Sequence, residues 1–172
     1  HKEMVGLLGA VWGFSGIALL LGFAIYRLMP VAVEAFRFDL FWYHWAALVI
    51  NTLSMAYSEG YRGFQNSFSP RVAARCKYLR NHPSTLHVLL APLFCIGYFH
   101  VIRNKQRQIL ALTAAIIVLI IIVQSIDQPW RGIIDAGVVV GLSWGLITLF
   151  AFATKAALLD DFDYSPEVPY PG

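Results

Sequence analysis

Most of the side chains able to do chemistry in this chain fall inside or at the edges of long apolar runs. They are His44, Glu59, His82, His87, His100, Asp127 and Asp135, with Arg62, Gln124 and Arg131 as partners. Such groups are expensive at membrane depth and are retained there for binding, proton handling or pairing. Two arrangements stand out. His44 and His100 lie near the same end of neighbouring apolar runs, and two imidazoles facing each other there would supply the axial nitrogens of a b-type haem. The competing reading seats His44 in an aromatic belt with Trp42, Tyr43 and Trp45 and leaves His100 at a helix end beside Arg103. His87 and His100, thirteen residues apart, share a helical face.

The second arrangement is a polar layer. Glu59, Arg62, His82, His87, Gln124, Asp127, Arg131 and Asp135 all fall near one side of the expected membrane segments. Carboxylates with an imidazole would form a proton-handling network or hold a single Zn, Fe or Mn ion. Against this, Glu59–Arg62 and Asp127–Arg131 have the spacing of helical ion pairs and would tie helix ends down. Asp135 is the clearest inward carboxylate, one turn into an apolar helix with Arg131 four residues earlier. The stretch Ser58–Gln65, SEGYRGFQ, is dense in polar groups and glycines for a membrane exit, and suits a headgroup, a peptide segment or a partner loop.

No HExxH, CxxC or Walker lysine loop occurs, and neither Ser125 nor Ser143 has an evident base to make it a nucleophile, so soluble enzyme chemistry has no support. Cys76 and Cys95 follow neither metal nor disulfide spacing. No cofactor is the leading expectation; haem or a single metal ion are the alternatives.

The elements that must position these residues follow from composition. Of 172 residues, 58% are hydrophobic and 13% charged, with a mean hydropathy of +0.62. Soluble domains run near 45–50% apolar and about 25% charged. The chain therefore reads as an all-α, polytopic integral membrane protein. Five segments approach the roughly 20 residues that the hydrocarbon core requires: 5–29, 38–57, 85–102, 109–126 and 132–154. The first is too long for the core of a signal peptide. Between the second and third, Ser69 and Pro70 open an amphipathic helix over 70–80. Its Arg71, Arg75, Lys77 and Arg80 would lie among anionic headgroups. The transmembrane domain covers 1–159, and 160–172 is an acidic, proline-rich tail.

Gly9 and Gly13, and Gly137, Gly141 and Gly145, repeat at intervals of four, the pattern of closely packed membrane helices. Five crossings put the two ends on opposite sides, with Lys and Arg divided almost evenly and the Ser58–Ser84 connection tipping the N-terminal side inward. The expected partners are the lipid bilayer and another membrane protein or a second copy; the small positive charge gives no case for nucleic acid. The leading expectation is a non-catalytic accessory, assembly or scaffold subunit in a bacterial cytoplasmic membrane. The alternatives are a proton- or solute-coupled transporter or channel subunit using Glu59, His87, Asp127 and Asp135, and a haem protein using His44 and His100.

Overall fold

The computed structural model describes residues 2–158 and 164–168, so the tail is seen at Tyr164–Val168 and its other residues lie outside the described ones. The fold is all-α. In order it contains α1 (Lys2–Glu34), a short 3-10 turn (Ala35–Arg37), α2 (Trp42–Met55), a π-helical segment (Ala56–Phe68), α3 (Ser69–Asn81), α4 (Thr85–Leu89), α5 (Ala91–Ile96), α6 (Arg103–Gln124) and α7 (Trp130–Leu158).

Three helices are long and apolar enough to cross a membrane: α1, α6 and α7. This corrects the five expected spans, and the chain chemistry explains why. Segment 85–102 breaks between α4 and α5, where Pro92 sits in the first turn of the second piece and supplies no amide hydrogen. It ends at Gly97, whose φ of +106° is left-handed and suits only glycine. Segment 38–57 does not stop at Tyr57. It runs without a break through the π segment into α3, making one helical rod from Trp42 to Asn81. At the other boundary, α1 continues through Pro30 to Glu34, because proline's fixed φ is helical and only one backbone bond is forgone.

Three rods form the bundle. α1 and α7 are antiparallel: the Phe14 and Phe150 rings meet edge to face at 5.0 Å, while Gly132 packs on Val31 and Ala35. The Trp42–Asn81 rod runs parallel to α7, with Asn51 over Gly137, Glu59 over Gly141 and Phe64 over Gly145. The start of α1 and the end of α7 therefore lie at the same end of the bundle. The glycine stripe of α7 is used within the chain. A Cβ on Gly145 would stand 2.5 Å from the Phe64 ring, and one on Gly141 would stand 2.8 Å from Glu59 Oε2. In α1, Gly9 faces Val88 and Leu79, and Gly13 faces Cys95 and the Ala91 backbone.

The α3 interval matches the amphipathic helix expected over 70–80, but its setting does not. Val72, Ala73, Ala74, Arg75, Cys76 and Leu79 are all buried. Together with Ile17, Leu21, Ala91, Phe94, Cys95 and Leu149 they make the core. α3 is thus an interior element rather than one lying among headgroups, because the α4–α5 hairpin and α1 cover its apolar face. α6 stands apart from this core. Ile116 through Ile122 are all exposed, and its ties to the core include Ile109 against Gly97 and Thr113 with the Tyr98 hydroxyl, 3.1 Å away.

One interhelical polar contact fixes the register of α2 on α7. Asn51 Nδ2 donates to the carbonyl oxygens of Ile133 at 2.9 Å and Ile134 at 3.5 Å. Membrane interhelical hydrogen bonds average about 0.6 and reach about 1.7 kcal/mol. Asn51→Ala is expected to lower stability by about 0.5–1.5 kcal/mol, seen as a drop of a few degrees in the melting temperature of detergent-solubilised protein. An unchanged melt would remove this bond from the register-setting contacts.

Candidate functional site

The expected polar layer separates into three levels. At the first, Asp135 is 4% exposed near the start of α7. Gln128 Nε2 donates to the Val31 carbonyl at 3.0 Å, while its Oε1 accepts the Gly132 amide at 2.8 Å. Asp127 is exposed, and its backbone oxygen rather than its carboxylate accepts from the Arg131 amide. Gln124 is exposed at the end of α6. His44 belongs to this level too. Its Nδ1 accepts the Phe41 amide at 3.0 Å and its ring meets Trp130 at 4.9 Å.

The second level lies about 9 Å along α7, six residues beyond Asp135. Here Glu59 rests on Gly141, its Oε2 buried without a hydrogen-bond partner. The third level is the far end, where His82 stacks on Tyr78 at 4.5 Å and the His87 and His100 rings stand 4.8 Å apart. Burial, then the neighbouring His100 and Arg75, lower the His87 pKa; burial and then Arg75 lower that of His100.

His44 and His100 are not brought together. His44 stands at the start of the Trp42–Asn81 rod, whereas His100 contacts Tyr78 near its other end, a separation on the order of 45 Å along the helix. A haem bridging them has no geometric basis. Among the described residues no three His, Cys, Asp or Glu side chains gather closely enough to hold a metal ion.

The four basic residues of α3 also divide. Arg75 is fully buried. Its Nε donates to the Phe94 carbonyl at 2.6 Å, Nη1 to that of Pro166 at 2.8 Å, and Nη2 to those of Phe99 at 2.7 Å and His100 at 3.1 Å. The guanidinium also lies over the Phe94 ring at 4.3 Å. Arg75 is therefore removed from the headgroup set, since four of its five donors are taken by carbonyls of α5, the turn after it and the tail. Arg71 leans over Phe68, its Nε buried and without a hydrogen-bond partner. Lys77 is half-buried and Arg80 is exposed. The Cys76 and Cys95 sulfurs, which nothing in their spacing joins, lie 2.9 Å apart in the core as free thiols.

What spacing alone did not reveal is the level of the SEGYRGFQ stretch along α7. It forms the π segment, and its wide turns accommodate Trp144, whose ring would stand 2.9 Å from a Cβ on Gly60. Trp144 Nε1 donates to Gln65 Oε1 at 2.9 Å. Trp144 is the midpoint of α7, about 20 Å from either end. Long π-helical stretches are rare, and wide turns concentrate at functional sites.

The outward face of this segment is polar at that level. Ser58, Arg62, Gly63, Asn66 and Ser67 line an open groove of about 460 Å³, flanked by the stacked rings of Tyr57 and Tyr61. The two hydroxyls are satisfied by their own helix: Ser58 donates to the Ser54 carbonyl at 2.7 Å and Ser67 to that of Arg62 at 3.1 Å. Arg62 and Asn66 are exposed. The helical pairing of Glu59 with Arg62 is not made, and the ion pair seen among the described residues is Lys105–Glu167, at 3.9 Å. Asn66 was missed in the sequence because a lone amide outside an expected span carries no signal. No protein-family model matches the chain, and neither a curated protein nor a solved structure matches it.

Proposed function

We propose that this chain is a non-catalytic accessory or assembly subunit of a membrane complex, one that is completed by another integral membrane protein. The observation that carries this reading is the outward-facing pair Arg62 and Asn66 on the π segment, level with the middle of α7. An arginine facing lipid at that depth costs from about 3 to more than 10 kcal/mol, depending on how far the bilayer deforms around it. A second protein that covers the groove removes that cost. The apolar α6, which has little packing of its own, offers a further lipid- or protein-facing helix beside it.

In this reading the Trp42–Asn81 rod crosses with α1, α6 and α7. The described ends of α1 and α7 then share one side. That side carries Lys2, Lys77, Arg80, Arg103, Lys105, Arg107 and Lys155, and the opposite side Arg27, Arg37 and Arg131. The positive-inside rule assigns the richer end to the cytoplasm of a bacterial inner membrane.

A second reading rests on Glu59, whose buried and unpartnered oxygen sits beside the groove, and makes the chain a proton- or solute-coupled transport subunit. One preparation separates the two. The tagged full chain is extracted from its own membranes in mild detergent and sized, then reconstituted. An accessory subunit is expected to elute with one integral membrane protein in fixed stoichiometry and to carry no flux by itself. Elution as a lone chain would overturn the accessory reading, and flux abolished by Glu59→Gln would establish the transport one.

A further inference from the structure

We infer that the groove on the π segment receives a transmembrane helix of a different protein, and that this helix bears a carboxylate at mid-depth which pairs with Arg62. The inference rests on the accessory reading and names the chemistry of its partner. Three observations converge on it. Arg62 is exposed at the level of Trp144, the middle of the apolar helix α7, and no carboxylate among the described residues pairs with it; with the Trp42–Asn81 rod crossing as proposed above, that level is the membrane interior. Glu59, the nearest acid in sequence, is turned the other way onto Gly141. Asn66 adds an exposed amide to the same groove, a second polar group that a helix can meet.

A second copy of this chain is the wrong occupant. Copies inserted with one topology meet through a two-fold axis along the membrane normal, which makes the interface self-complementary. The same face on both would set Arg62 against Arg62, a like-charge contact in a medium of low dielectric. A carboxylate on another protein gives the opposite sign and, with a guanidinium, a bidentate charge-assisted pair. A hydrocarbon tail satisfies neither group.

The test places a photo-crosslinking amino acid at Asn66 in the full chain, in its native membranes, and maps adducts by mass spectrometry. The expected adduct is with one integral membrane protein, in an apolar segment containing Asp or Glu. Its yield should fall at least tenfold in Arg62→Ala and Arg62→Glu, be largely kept in Arg62→Lys, and return in Arg62→Glu when the mapped acid is changed to Lys. Because Arg62 is exposed, an unchanged melting temperature of Arg62→Ala verifies folding. Adducts with the chain's own peptides, or with a segment lacking a carboxylate, would overturn this inference; the latter leaves the accessory reading intact. Absence of any protein adduct would overturn both.

Discussion

Replacing Arg75 by methionine is expected to cost about 3–5 kcal/mol and to leave little monodisperse protein after solubilisation. Methionine keeps much of the stem, so the loss comes from the polar head. Four carbonyl groups, those of Phe94, Phe99, His100 and Pro166, accept from this one guanidinium. Each belongs to backbone at or past a helix end: the last turn of α5, the chain around left-handed Gly97 and His100, and the tail. A buried acceptor without a donor costs about 1–3 kcal/mol, partly relieved where water enters. Arg75→Lys is expected to fall between wild type and Arg75→Met, since an ammonium has three donors and no planar fork. Melting temperature and the monodisperse fraction in one detergent measure both. A melt of Arg75→Met within about a degree of wild type would show that this hub does not hold the α3–α5 junction.

The second large effect is at Gly145. Its backbone faces the Phe64 ring, and Ser69 Oγ donates to its carbonyl at 3.3 Å. Gly145→Leu must push the π segment off α7, and overpacking of this kind costs about 1–3 kcal/mol before that contact is lost as well. Gly22 supplies the control. Nothing lies within 4 Å of a Cβ placed there, so Gly22→Leu should leave the melt unchanged. Phe64→Ala should restore part of the stability lost in Gly145→Leu, because it removes the atoms that clash. Equal tolerance of leucine at both glycines would mean that α7 and the rod are not in close contact.

The glycine repeats were legible because their signal is local: residues four apart share a helix face whatever lies opposite. The membrane class was legible for a similar reason, since it follows from summed hydropathy. The number of spans was not. An apolar window over 85–102 counts Pro92 and Gly97 as ordinary residues, while the chain cannot carry a straight helix through both. The opposite error occurred at Tyr57, where falling hydropathy suggested an exit and the helix continued, because α7 rather than lipid covers one of its faces.

Candidate residues followed the same division. Asp135 could be read as inward from its place one turn into an apolar helix, and it is buried. The assignment of Arg75 to a headgroup surface failed because charge pattern cannot reveal four distant carbonyls that lack donors. Grouping Glu59 with Asp135 and His87 in one layer failed because depth was inferred from helix ends that the fold does not have.

The sequence by itself determined an all-helical membrane protein with glycine-lined contact faces and one segment unusually rich in polar groups. These are properties of composition and of periodicity along single helices. Only the tertiary structure decided that α1 and α7 run antiparallel, that α3 is interior, and that Arg62 and Asn66 face outward level with the middle of α7. Level and facing depend on which helices pack together and in what register, and that is set by contacts such as Asn51 on Ile133 and Phe64 on Gly145, between residues far apart in the chain.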